Sequence, residues 1–279
     1  MKRMILFIAI CLQINFAGNG GITGKIVDSE SDEPIVYANV FLSGTTIGST
    51  TNDKGEYQIS GVPEGNYKLV VSVVGYEAGV KNIQVKPEDE LEFDFELIRK
   101  VYEFDEIDVV GEYDEEYEAN YLKFRKHFLG TSKNALSCEI ENPGILDFRN
   151  NDDGSLTAAA KEMIKITNNN LGYKIQVNLQ DFKIAKMGEV YYAGETFFVE
   201  IDTNDFSVKK QWERNRREAY LGSSRHFFKS LYIDEWYSAG YRTYLSDKPS
   251  WNSVYDIMQQ KQPISHNLVE NITPRSRWI

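Results

Sequence analysis

The feature that most constrains this chain is a period-two alternation of apolar and polar residues, broken by turn residues at short intervals, through residues 21–98. Residues 22–27 alternate, and Asp28-Ser29-Glu30-Ser31-Asp32-Glu33-Pro34 interrupts them. Ala38, Val40 and Leu42 share one face of the next strand, and residues 45–51 extend between Ser43-Gly44 and Asn52-Asp53-Lys54-Gly55. Tyr57 and Ile59 alternate with Glu56, Gln58 and Ser60. Tyr67-Lys68-Leu69-Val70-Val71-Ser72-Val73-Val74 is almost continuously apolar, as a central strand is. Further strands are expected near residues 80–85 and 91–97. About seven short strands with turns every ~8–12 residues predict a sandwich, and no run here is long enough for a helix. Gly44, Gly55, Gly65 and Gly75 each fall where a strand must reverse, where positive φ costs a residue with a Cβ most. Asn52-Asp53-Lys54-Gly55-Glu56 offers too few alternating oxygen ligands for a calcium loop and reads as a plain turn.

These positions carry a resemblance. Gly24-x-Ile26-x-Asp28, Pro34, Ala38-x-Val40, Gly44-Thr45-Thr46-x-Gly48, Thr51-x-Asp53-x-Gly55-x-Tyr57-x-Ile59, Gly65-x-Tyr67-x-Leu69 and Ser72-x-x-Gly75-Tyr76 resemble the carboxypeptidase-regulatory-like domain. The resemblance implies a seven-stranded, transthyretin-like (prealbumin-like) sandwich over residues 21–98. It also implies a non-catalytic accessory module of Gram-negative envelope proteins, with no active-site residues to carry over.

Met1-Lys2-Arg3 and the apolar residues 4–12 make a run half as long as a bilayer span and within the ~7–15 residues of a signal-peptide core. With small residues at Ala17 and Gly18, residues 1–20 are expected to be a signal peptide and the protein to be exported, to the periplasm or the outer membrane. The alternatives are an N-terminal anchor and lipidation at Cys11, which Ile10 in place of a small residue disfavours. Cleavage leaves Cys138 alone, so no internal disulfide is expected, and a buried inert thiol is the default.

Charge is segregated. The net charge of −11 argues against a nucleic-acid binder, which needs clustered positive charge. Residues 21–118 hold 23 Asp+Glu against 7 Lys+Arg, and residues 119–279 hold 19 against 22. Residues 99–118 read as an acidic linker with a solvated surface; the sharper reading docks the acidic module onto its mildly basic neighbour or a cationic partner. Within it, Phe104-Asp105-Glu106-Ile107-Asp108-Val109-Val110-Gly111 resembles the segment that follows this sandwich in TonB-dependent receptors. That resemblance would make the chain an accessory part of an uptake system, since the 168 residues after Gly111 are too few for a receptor's barrel.

Residues 119–279 read as an α+β domain of unknown function. Tyr117, Tyr121, Phe124 and Phe128 mark one helix face, widened by Leu122 and Leu129 and closed by Gly130. Asn142-Pro143-Gly144 and residues 150–154 are turns. Residues 155–167 could be helix through Ala158-Ala159-Ala160 or strand through residues 163–166, and strand is preferred. Tyr173, Ile175, Val177 and Leu179 alternate as a half-buried strand, and residues 189–201 suggest a strand pair around Ala193-Gly194. A helix over residues 212–220 and another capped by Ser223 or Ser224 and ending at Tyr232 follow. Residues 241–245 look extended, and the proline-bearing tail shows little periodicity.

The chemistry is sparse. His127, His226 and His266 lack Glu at +3, which disfavours a zinc peptidase. No nucleophile elbow, phosphate-cradling loop or dinucleotide fingerprint occurs, and no catalytic residue, metal site or cofactor is assigned. A distant Ser–His–acid triad or carboxylate pair in residues 119–279 keeps a hydrolase open as the alternative. Trp212, Arg214, Arg217, Tyr220, Arg225 and His226 form the candidate ligand-binding cluster, because aromatic faces with Arg donors suit sugar rings or carboxylated glycans. The plainer reading is a helix turning its aromatic side inward. The expected protein is an exported, non-enzymatic envelope module that binds or scaffolds a protein or glycan, and reaches the membrane through its partners.

Overall fold

The computed structural model describes residues 19–100 and 115–241. The leader up to residue 18, the segment 104–111, His266 and the tail after Tyr241 lie outside them. The described residues fall into two compact units, one ending at Phe206 and one beginning at Ser207.

The first unit opens with a β-rich sandwich. In one sheet β1 (Gly20–Asp28) is central, antiparallel to β4 (Glu56–Val62) and parallel to β7 (Glu90–Glu92) and β8 (Phe95–Leu97). The other runs β3 (Gly48–Thr50), β2 (Asn39–Leu42), β5 (Gly65–Ser72), β6 (Gly79–Val85), antiparallel throughout. Ile22, Ile26, Val40, Leu42, Leu69 and Val85 are fully buried in the core they share. The alternation places them there, because one strand face must leave water.

Eight strand segments replace the expected seven. The strand expected over residues 91–97 breaks where it passes Gly24, because the Phe93 carbonyl occupies the place of a side chain: a Cβ on Gly24 would lie 1.9 Å from that oxygen. The Asp94 carboxylate takes the donor of Lys25 N–H at 2.7 Å, replacing one ladder bond. The glycine expectation needs one correction. Gly44, Gly55 and Gly75 have positive φ, but Gly65 does not; the chain reverses at Pro63-Glu64, and Gly61 (φ 75°) lies inside β4, where its register against β1 slips. Gly65 sits under the Tyr67 ring, 3.1 Å from where its Cβ would be. The Asn52 turn is a plain one: its Oδ1 accepts from Lys54 and Glu56 N–H and is thereby committed.

A helical and β region follows. Six strands, β9 (Cys138–Ile140), β10 (Leu146–Asn150), β11 (Leu156–Ala160), β12 (Ile164–Asn168), β13 (Tyr173–Ile184) and β14 (Val190–Glu200), form one antiparallel sheet. Long β13 carries β14 along one edge, and β12 and β11 in succession along the other. The Ala158-Ala159-Ala160 run is therefore strand, with Ala158 and Ala160 in the core that holds Phe124 and Phe182. Helix α1 (Glu115–Leu129) supplies Phe124, fully buried and 4.7 Å from the Phe182 ring centroid. Tyr121, Phe128 and Leu129 follow it inward, but Leu122 is left 53% exposed, so the apolar stripe is narrower than expected. Gly130 (φ 86°) closes the helix, and the short α2 (Lys133–Leu136) follows, capped by Ser132.

Within residues 189–201 there is one continuous strand, β14 (Val190–Glu200), not a pair turning at Ala193-Gly194. Gly194 answers a different need. The register of β13 against β14 slips between Leu179 and Asp181, and a Cβ on Gly194 would come within 2.7 Å of the Asn178 carbonyl. A bulge brings backbone close to backbone there, and only glycine fits.

The sandwich and this sheet are stitched together. Gly44 N–H donates to Thr196 O at 2.7 Å, and Phe198 N–H to Thr45 O at 3.0 Å. Phe41 and Val70, on the sheet face opposite Leu42 and Leu69, pack with Met163 and Phe197, with the Phe41 and Phe197 centroids 5.1 Å apart. That double burial is why residues 69–71 are apolar without a break. An ion pair crosses the junction: the sandwich contributes Lys68, and the following sheet contributes the carboxylate of Glu195.

The second unit holds most of α3 (Phe206–Tyr220), then α4 (Ser224–Tyr232) and the buried Trp236. Ser223 accepts His226 N–H at 3.1 Å and so caps α4. No described helix is long and apolar enough to cross a membrane.

Candidate functional site

Between the sandwich and the second sheet lies a cleft of about 420 Å³. One wall is Asn39 at the start of β2, Ser72 at the end of β5 and the loop 73–78. The other is Lys165 of β12, Gln176 and Asn178 of β13, and the turn 161–163. Two in-register polar positions of β13, Gln176 and Asn178, face the cleft because Ile175, Val177 and Leu179 fill the core on the other side. Amide side chains offer a donor and an acceptor side by side, so the cleft can hold a ligand rich in both.

Each wall has its own anchor. On the sandwich side Asp28 is 1% exposed; its Oδ1 accepts from Glu30 and Ser31 N–H, and its Oδ2 accepts from Tyr76 OH at 2.8 Å and Arg99 Nε at 2.7 Å. The Tyr76 hydroxyl first, then the Glu30 amide and Arg99, hold this carboxyl well below the usual carboxylate range. Residues 75–77 are tied to residues 98–100 by Glu77 N–H to Ile98 O and Lys100 N–H to Gly75 O, both 2.8 Å. On the sheet side Asn142 does the holding: its Nδ2 donates to Met163 O at 3.0 Å and Glu162 Oε1 at 3.2 Å, and its Oδ1 accepts Lys165 N–H at 2.8 Å. The cleft is thus built on fixed backbone.

The cluster expected from sequence lies elsewhere and is only partly assembled. Trp212, Arg214, Arg217 and Tyr220 are on α3, and Arg225 and His226 on α4. Tyr220 and His226 come together, ring centroids 5.0 Å apart. Gly222 N–H donates to His226 Nδ1 at 3.1 Å, and Tyr241 OH lies 2.9 Å from the same nitrogen. With Nδ1 accepting from the Gly222 N–H, this histidine fastens the turn between the two helices. Tyr241, which sequence reasoning passed over, completes that aromatic group. The arginines are not drawn into it. Arg214 donates to Gln211 Oε1 at 2.6 Å on the exposed side of α3, and Arg217 and Arg225 are exposed. Trp212, two residues before Arg214, faces a different side of the helix and is half-buried.

His127 is exposed on α1. Among the described residues no three His, Cys, Asp or Glu side chains converge as a metal site. Cys138 is buried, and burial pushes its thiol pKa up. The cleft residues Gln176 and Asn178 were visible in sequence only as the polar half of an alternating strand, which reads as solvent face.

Residues 22–109 match the model of the CarboxypepD_reg-like domain. No curated protein matches the chain. Solved structures that superpose on parts of it include a type II cohesin–X-dockerin complex from Acetivibrio cellulolyticus, at 25% identity and TM-score 0.23 over 26% of this chain and 52% of that one. The pilus 2b backbone protein of group B streptococcus aligns at 18% identity and TM-score 0.25, over 29% of this chain and 41% of that one. A DUF3823 family protein from Bacteroides ovatus aligns at 14% identity and TM-score 0.23, over 67% of this chain and 86% of that one. The chain spans about half the length of the cohesin–dockerin chain it matches.

Proposed function

We propose, from the premise that residues 22–109 are a CarboxypepD_reg-like domain, that this chain is an exported envelope protein that binds a glycan in the cleft between its sandwich and its second sheet. The observation that carries this reading is the presence of amides on both walls, Asn39 on one and Gln176 and Asn178 on the other. Vicinal hydroxyls of a sugar ring are donor and acceptor at once and pair with such amides. Lys100, Lys161 and Lys165 against Glu77 and Glu162 leave the lining slightly positive, which favours a ligand bearing a carboxylate or other acidic group. The sandwich acts as a wall and spacer, and export rests on the basic-apolar leader.

Isothermal titration of the full-length protein with neutral and uronic-acid oligosaccharides tests the proposal. Saturable binding is expected, weakened roughly fivefold by each of Gln176→Ala and Asn178→Ala, the size of one hydrogen bond each. No binding across the panel, or binding that both variants leave unchanged, overturns it.

A further inference from the structure

A second surface, independent of the cleft, lies on α4. Ser230 is buried, and His226 and Phe227 are half-buried, so these positions define the inner face of the helix. At 100° per residue the opposite face is formed by Arg225, Phe228, Lys229 and Tyr232. Phe228 is 65% and Tyr232 91% exposed, four residues apart, and Arg225 and Lys229 run beside them with the same spacing. Outward faces of helices are normally polar, so two bare aromatic rings flanked by cations need a reason.

Charge identifies what the face meets. Helix α4 carries Arg225 and Lys229 and no acidic residue, and Asp234 and Glu235 come only after its end. Shape narrows it further. The helix has nine residues, about 13 Å at about 1.5 Å each. A stable protein partner covers about 800 Å² on each side, more than the outer face of one short helix offers. A fluid anionic surface sets no such requirement: rings enter the headgroup boundary while Arg and Lys meet phosphates. We propose that the outer face of α4 docks on an anionic lipid surface, with Phe228 and Tyr232 inserted and Arg225 and Lys229 on the headgroups. Leu231 and Ile233, 45% and 48% exposed, extend the apolar edge.

Co-sedimentation of the full-length protein with phosphatidylglycerol-containing and pure phosphatidylcholine vesicles tests this. All variants share the same N-terminus, so differences among them isolate α4. The expected result is binding to the anionic vesicles that falls with salt, and a loss of roughly thirty-fold in the Arg225→Gln/Lys229→Gln variant. Phe228→Ser/Tyr232→Ser is expected to weaken vesicle binding while leaving retention of soluble polyphosphate unchanged. The substituted residues are exposed, so thermal midpoints should match the parent. Equal binding to both vesicle types, or vesicle binding unaffected by either double variant, overturns the proposal. So does an aromatic variant that loses polyphosphate in parallel with lipid, which would mark a site for free phosphate, or one that loses an acidic protein instead of vesicles.

Discussion

Lys68 Nζ lies 2.6 Å from Glu195 Oε1, and Ser43 Oγ donates to the other oxygen of the same carboxylate, so one acidic group joins the turn after β2 to β5 and β14. Glu195 is 5% exposed while the Lys68 side chain is 44% exposed, which sets the energetics between those of a surface pair and a buried one. Lys68→Met leaves a buried carboxylate with one donor. The expected cost is about 1–2 kcal/mol, a thermal midpoint lower by a few degrees. Adding Glu195→Met should return most of the loss, because the remaining cost is an uncompensated charge. Calorimetry of the single and double variants checks this, and an unchanged midpoint in Lys68→Met would refute it.

Gly24→Ala is expected to be among the most damaging substitutions in the sandwich. The added Cβ would sit 1.9 Å from a backbone oxygen, that of Phe93, which no rotamer change can move aside. Either β7 and β8 lift away from β1 or the chain fails to fold, at a cost above about 3 kcal/mol. Gly61→Ala, with nothing within 4 Å, meets only the penalty of positive φ, about 1–2 kcal/mol. Urea denaturation of the pair should rank them in that order.

These two residues also show how far the sequence could be read. Local rules reach strands and turns: the alternation at residues 56–60, the Asn52 turn and the Ser223 cap follow from neighbours within a few residues. They fail where a distant backbone decides. Gly24 and Gly194 look like ordinary breakers, yet each is required by a carbonyl far along the chain, Phe93 and Asn178. The cleft was hidden for the same reason. Gln176 and Asn178 read as solvent-facing until the Phe41–Phe197 contact brings the sandwich alongside. The α3–α4 cluster was legible as composition, but helix phase scatters its arginines and leaves only Tyr220 and His226 in contact.

Cys138 should be unreactive in the folded protein. It is 7% exposed, its thiol donates to Asn134 O at 3.4 Å, and burial raises its pKa, so little thiolate forms. In a Cys11→Ser background, a thiol-specific disulfide reagent at pH 8 should label no thiol until denaturant is added, then one. Rapid labelling of the native protein would contradict the burial.

The last prediction concerns acid. Asp28 holds the loop that forms one wall of the cleft, through Tyr76 OH at 2.8 Å, and its carboxyl is held well below the usual range in the folded state. The unfolded chain, with an ordinary Asp pKa of about 4, therefore takes up the proton first. Stability from this network is complete above that value and drains away as the pH falls through and below it. The thermal midpoint should be level above about pH 5 as far as this group is concerned, and decline below about pH 4. Asp28→Asn should be less stable than the parent at pH 7 and nearly equal to it at the acid end, so that the two profiles converge. Profiles that stay parallel down to pH 2 would mean that the charge of Asp28 contributes nothing and only its shape matters. Ligand binding in the cleft should weaken along the same curve, since the Tyr76 loop that lines it is fastened by that one carboxylate.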